Sequence, residues 1–126
     1  MDRNEPTIES MYVYQGKVVT LRKDKVKLPN GKLTEREIVE HAGAVAILPI
    51  TNEGKIIFVK QYRKPIEKET IEIPAGKLNP GERPEDCAQR ELQEETGYAG
   101  ELTFKFSYYT TPGFSDEIMY MFFARD

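Results

Sequence analysis

Apolar and polar residues alternate through Met11–Leu28, most clearly in Lys25-Val26-Lys27-Leu28, which is the two-residue period of a half-buried strand. Pro29-Asn30-Gly31 carries turn residues, so Leu33–Glu40 is expected to return as a hairpin partner. This piece is polar over much of its surface and makes a poor core by itself, which marks it for pairing with a second subunit. Ala42–Ile50 (AGAVAILPI) is instead a continuous apolar run, the signature of a central strand covered on both faces. A turn at Asn52-Glu53-Gly54 leads to a strand over Lys55–Arg63. A short strand, Thr70–Ile73, then enters a Pro74-Ala75-Gly76 loop. From Pro84 the pattern becomes helical. Glu101–Tyr109 and Glu117–Ala124 read as two more strands, joined by residues 110–116. The aromatic residues Phe104, Phe106, Tyr108, Tyr109, Phe122 and Phe123 alternate along these strands and are expected in a core or an interface. The predicted class is α/β (or α+β), a mixed sheet with one flanking helix. Residues 1–41 form an N-terminal β extension and residues 42–126 the main domain.

Composition narrows the function. A chain of 126 residues suits one domain, and the net charge of −3 supplies no basic field for nucleic acid. No apolar run approaches the roughly 20 residues of a membrane span, and MDRNEPTIES lacks the apolar centre of a signal peptide. Cys87 is the single cysteine, so no internal disulfide forms and a reducing, cytoplasmic setting is expected. Cys87 reads as a small helix residue and His41 as a satisfied histidine.

The chemistry concentrates in Gly76–Tyr98, GKLNPGERPEDCAQRELQEETGY, which holds six acids and two arginines. Pro84 fits a first helical turn, Glu85 and Asp86 favour its N-terminal dipole, and Gly97 can end it. Residues three and four apart share a helix face. Glu91, Glu94 and Glu95 therefore crowd one side, while Ala88 and Leu92 define an apolar side. Like charges so spaced repel unless a cation lies between them, and hard cations such as Mg²⁺ or Mn²⁺ prefer carboxylate oxygen. Arg90 can hold a carboxylate through a bidentate pair, and the Pro74–Lys77 loop can bring backbone carbonyls near the helix. The plain alternative is a solvated, charged surface helix.

These residues resemble the Nudix box, G-x5-E-x7-R-E-U-x-E-E-x-G-U, with U a bulky aliphatic residue. Gly76, Glu82, Arg90, Glu91, Glu94, Glu95 and Gly97 match, and Leu92 fits the first U. Tyr98 at the second U is a departure in packing. Within that family the chain looks most like the ADP-ribose pyrophosphatase branch. Pro112 follows Tyr98 by 14 residues, Gln61-Tyr62-Arg63 precedes Ile73-Pro74-Ala75-Gly76, and the N-terminal hairpin carries Leu28-Pro29-Asn30-Gly31 and Arg36-Glu37.

The resemblance implies a Nudix fold and Mg²⁺-dependent hydrolysis of the diphosphate of ADP-ribose to AMP and ribose 5-phosphate, with Mn²⁺ the alternative ion. It implies that Glu91, Glu95 and the Ala75 carbonyl hold metal, with Glu94 a further ligand through water. Glu82 would support that shell and Arg90 orient a carboxylate. Arg63 would contact phosphate, Tyr14 and Arg36 would approach the adenine, and Glu117 the terminal ribose. A strand-end surface arginine, a packed strand tyrosine and a turn-capping aspartate are the plain alternatives for Arg63, Tyr14 and the neighbouring Asp116. A homodimer through the N-terminal strands is also implied. Hydrolysis of another nucleotide sugar such as GDP-mannose, and a non-catalytic ADP-ribose-binding domain, stand as alternatives. Members of this branch continue past the last strand into a further strand and a C-terminal helix, where several carry a glutamate base. The chain is accordingly expected to be C-terminally short, and the resemblance assigns none of its residues as general base, with Glu94 or Glu95 the substitutes within it.

Overall fold

The apolar run starting at Ala42 becomes the organising strand. In the computed structural model, which describes residues 2–126, β4 (Ala44–Ile50) lies between β7 (Ala75–Lys77) and β9 (Ile118–Arg125), with β8 (Glu101–Tyr109) outermost. β4 is antiparallel to β7 and parallel to β9, so the sheet is mixed, as expected. The helix α1 (Pro84–Thr96) packs on it. Val45 and Ile47 of β4, Cys87, Ala88 and Leu92 of α1, and Phe122 and Ala124 of β9 form one buried cluster. Truncating a buried leucine such as Leu92 to alanine costs about 2–5 kcal/mol, so this small cluster fixes where α1 stands.

Two compact units make up the chain: Met1–His41 with Tyr109–Glu117, and Ala42–Tyr108 with Ile118–Asp126. In the first, β1 (Thr7–Gln15), β2 (Thr20–Lys27) and β3 (Leu33–Glu40) form an antiparallel sheet with β2 central. The expected single run Met11–Leu28 is two strands. The Gly16 N–H bonds the Val19 carbonyl at 2.8 Å and reverses the chain, while Val18 and Val19 keep the apolar spacing going and hide the turn. On one face Lys23 and Lys25 stand opposite Glu37 and Glu35, a favourable cross-strand pattern. On the other, the buried Asp24 accepts from the Ser10 hydroxyl at 2.6 Å and from Arg22 Nε at 3.0 Å. Residues 109–117 join this unit through the Val39 N–H, which donates to the Phe114 carbonyl at 2.7 Å.

In the second unit β5 (Val59–Arg63) begins later than the expected Lys55, because Ile56 bridges Ile50 and the Ile57 N–H bonds the Pro49 carbonyl at 3.1 Å. A 3₁₀ turn (Lys64–Ile66) connects β5 to β6 (Lys68–Glu72), and the two strands pair only with each other. Residues 75–77, expected as loop, form the edge strand β7, with Gly76 opposite Val45. Three residues including a glycine carry no strand period; pairing with β4 imposes the conformation. Of the strand aromatics Phe122 is in the core, while Phe104, Phe106, Tyr108 and Tyr109 are exposed.

Candidate active site

The helix α1 is set by its ends as the sequence predicts. Pro84 occupies the first turn with Glu85 and Asp86, and Gly97 takes the left-handed conformation at φ 76° while its N–H bonds the Gln93 carbonyl at 2.8 Å. With Ala88 and Leu92 turned into the core, Glu91 and Glu95 flank that buried side and reach β7, while Arg90 and Glu94 lie further round the helix.

Arg90 is the hub. Its Nε and Nη2 form a fork on Glu82, at 3.0 and 2.9 Å, and its Nη1 bonds Glu91 at 2.8 Å and Glu94 at 3.3 Å. Glu82 also accepts from the Asn79 N–H at 3.0 Å. The Arg90 guanidinium, followed by the Asn79 N–H, holds the Glu82 carboxyl down at about 2, and Arg90 is itself pushed up by Glu82.

Glu91 is buried, and its carboxylate lies where a side chain on residue 76 would have to start. A Cβ at Gly76 would overlap the Glu91 carboxyl carbon and both its oxygens. Any side chain at residue 76 would therefore displace the Glu91 carboxylate; the constraint is close approach of a helix acid to a strand backbone, not an unusual φ. Glu95 accepts from the Ala75 N–H at 3.3 Å, so it too reaches β7. Burial pushes the Glu95 carboxyl above its ordinary range and the nearby Glu91 adds to the rise, against the Ala75 N–H and Arg63, which lower it. Cys87 is buried behind this face with its Sγ 3.6 Å from the Lys77 carbonyl, and burial pushes its thiol up to about 12. It is no nucleophile.

A divalent metal fits this donor set by its chemistry: carboxylate oxygens of Glu91 and Glu95 converge on the β7 backbone, and hard cations take oxygen ligands. Among the described residues no three His, Cys, Asp or Glu side chains are already grouped to hold an ion, since Glu91 turns to Arg90 and Glu95 to the Ala75 N–H.

Arg63 lies in the same unit. It forks Glu72 through Nε at 2.8 Å and Nη2 at 2.7 Å, and Glu72 also accepts from the Thr70 hydroxyl. These contacts, Arg63 first, hold the Glu72 carboxyl at about 2. Sequence reasoning does not single out Glu72. The signal that finds it is the β5–β6 register, in which Gln61 faces Thr70 and Val59 faces Glu72, placing Arg63, Thr70 and Glu72 on one face.

The remaining candidates belong to the first unit. Tyr14, on β1, is exposed with its ring over Gly16. Arg36 forks Glu5 at 2.9 and 3.0 Å. Glu117 accepts from the Thr110 hydroxyl at 2.5 Å and lies 3.2 Å from His41 Nδ1, so His41 is satisfied. Asp116 accepts from the His41 N–H at 2.9 Å and acts as a backbone cap.

The NUDIX domain family matches residues 40–126, and the nucleoside diphosphate sugar hydrolase N-terminal domain matches residues 5–39. The chain belongs to the Nudix family. It is 56% identical to an ADP-ribose pyrophosphatase of Bacillus subtilis (strain 168), over 97% of this chain and 66% of that protein. It is 53% identical to a methanol dehydrogenase activator of Bacillus methanolicus, over 96% of this chain and 66% of that one. An ADP-ribose pyrophosphatase of Mycobacterium tuberculosis (strain ATCC 25618 / H37Rv) is 42% identical over 94% of this chain and 58% of its own length. The chain thus spans 66% or less of these curated relatives. Its fold matches the crystal structure of an ADP compounds hydrolase with a TM-score of 0.86 at 25% identity, covering 98% of this chain and 68% of that one. No helix among the described residues is long and apolar enough to cross a membrane.

Proposed function

We propose that this chain hydrolyses the diphosphate of ADP-ribose to AMP and ribose 5-phosphate, using Mg²⁺, with Mn²⁺ the alternative ion. The observation that carries this reading is the packing of Glu91 against the Gly76 backbone beside Glu95. It concentrates carboxylate charge beside the β7 backbone, at an electrostatic cost that a divalent cation relieves. The relatives named ADP-ribose pyrophosphatase support the choice of substrate.

In this reading Glu91, Glu95 and the Ala75 carbonyl hold the ion, and Glu94 joins through water. Bound there, Mg²⁺ supplies charge neutralisation along the diphosphate and a more acidic water. Arg90 fixes Glu82 and turns Glu91, so the ligand carboxylates are aimed before substrate arrives. Arg63 contacts a phosphate oxygen through its planar fork. Tyr14 and Arg36 approach the adenine, and Glu117 the terminal ribose. Residues 1–41 serve as a dimerisation extension to the Nudix domain of residues 42–126. Support for a homodimer comes from β1, exposed along its whole length with Met11, Tyr12, Val13 and Tyr14 uncovered. A reducing cytoplasmic setting accords with the single cysteine, Cys87.

A second reading, hydrolysis of another nucleotide sugar such as GDP-mannose, is favoured by the match of residues 5–39 to the broader nucleoside diphosphate sugar hydrolase domain. Comparing kcat/KM for ADP-ribose and GDP-mannose with Mg²⁺ separates the two. A ratio below one overturns the ADP-ribose assignment.

A further inference from the structure

We infer that Glu72 is a positioning residue for substrate binding: with Thr70 it locks the Arg63 guanidinium so that its far edge presents parallel N–H bonds to a phosphate. This rests on the reading of Arg63 as a phosphate contact, and deepens it by naming the residues that aim it.

An arginine carries five N–H donors in a rigid plane. The recorded bonds of Arg63 to Glu72 use Nε and Nη2, at 2.8 and 2.7 Å. They engage one edge of the guanidinium, leaving the Nη1–Nη2 edge to a second planar acceptor, and a phosphate matches that spacing. Glu72 is itself fixed. The Thr70 hydroxyl donates to Glu72 Oε2, the oxygen that also takes Arg63 Nε. The β5–β6 register places all three side chains on one face. Arg63 also feels Glu95 of α1, whose charge favours its cationic form.

Lys68 stands directly opposite Arg63 in the register, while the Arg63 guanidinium bonds Glu72, four residues further along β6. A flexible surface arginine would instead spread over several rotamers and lose side-chain entropy when it bound an anion. Anchoring one edge in advance removes that cost. Glu72 also places negative charge near the phosphate, which opposes binding. Water and salt screen that repulsion between partly exposed groups, whereas a charge-assisted hydrogen bond to phosphate depends on aim, so orientation wins.

The test is a double-mutant cycle on binding and turnover. Dissociation constants for ADP-ribose are measured by calorimetry without added metal, and KM and kcat with Mg²⁺, for wild type, Arg63→Ala, Glu72→Asp, Glu72→Gln and Arg63→Ala/Glu72→Asp. Glu72→Asp keeps the charge and shortens the reach, so it isolates position from electrostatics. The inference predicts that Arg63→Ala and both Glu72 variants weaken binding and raise KM about tenfold, the loss of one charge-assisted contact, with kcat changed less than threefold. In the Arg63→Ala background Glu72→Asp has no further effect. A merely structural Glu72 would lower the thermal midpoint and act equally in both backgrounds. Weaker binding by Arg63→Ala with no effect of Glu72→Asp overturns this inference alone. Unchanged binding and KM in Arg63→Ala overturn the phosphate reading of Arg63, and the inference with it.

Discussion

Arg90 grips Glu82 with two parallel bonds, at 2.9 and 3.0 Å, and spends its remaining nitrogen on Glu91 at 2.8 Å. One side chain thereby links the loop before α1 to the acid that lies against Gly76. Lysine carries a point charge and cannot make the fork and the third contact together. Arg90→Lys is expected to lower turnover of ADP-ribose about 10–100-fold, the usual effect of losing a group that orients metal ligands, while circular dichroism stays unchanged. Turnover within twofold of wild type would show that Glu91 is aimed by other means.

Gly76 and Glu91 make a second, steric prediction. Alanine at 76 would put its Cβ inside the Glu91 carboxylate, and the backbone cannot easily retreat because Gly76 pairs with Val45 of β4. Gly76→Ala should expel Glu91 from its cradle, destabilise the fold by about 1–3 kcal/mol, as overpacking does, and abolish turnover. Urea titration and an initial-rate assay read the two effects.

Burial holds the Glu95 carboxyl above its ordinary range, so folding favours its protonated form. The sign is that of a destabilising charge: stability falls as the pH rises and Glu95 ionises. A divalent cation held between Glu95 and Glu91, as proposed, would reverse this. Mg²⁺ at ten times its dissociation constant should stabilise the fold by about 1.4 kcal/mol, seen as a higher thermal midpoint at pH 8. The shift should vanish in Glu95→Gln.

Glu72 and Glu82 behave in the opposite way. Arg63 and Arg90 hold their carboxyls at about 2, against an ordinary 4.5. A lowered folded-state value means stabilisation that is present above 4.5 and lost as the pH falls toward 2. The Arg63–Glu72 pair faces water and the Arg90–Glu82 pair is only partly buried, so screening keeps the effect small. The urea midpoint should fall between pH 5 and pH 2, and Glu72→Gln should flatten part of that fall. An unchanged profile in the variant would remove Glu72 from the acid transition.

The sequence makes α1 legible because both its ends carry the chemistry that helix termini need: Pro84, Glu85 and Asp86 at one, Gly97 at the other. β4 is legible because its apolar run has no polar interruption. What is not legible depends on tertiary pairing. β7 is a strand only because β4 lies beside it. The turn at Gly16 is masked by Val18 and Val19, which continue the alternation through it. Spacing also puts Glu91, Glu94 and Glu95 on one helix face, but it does not say that Arg90 would choose Glu82 for its fork. The partners of Arg63 and Arg36 lie 9 and 31 residues away in sequence; the β5–β6 register brings the first pair together, and Glu5, ahead of β1, reaches Arg36 on β3.

The central claim is that the carboxylates beside β7 support metal-dependent cleavage of a diphosphate. The most direct measurement is the release of AMP from ADP-ribose by this chain and by its Glu95→Gln variant, across a Mg²⁺ titration. The account predicts Mg²⁺-dependent AMP release by the wild-type chain and its loss in Glu95→Gln, with circular dichroism unchanged. ADP-ribose bound without any AMP released, or full activity in Glu95→Gln, would contradict it.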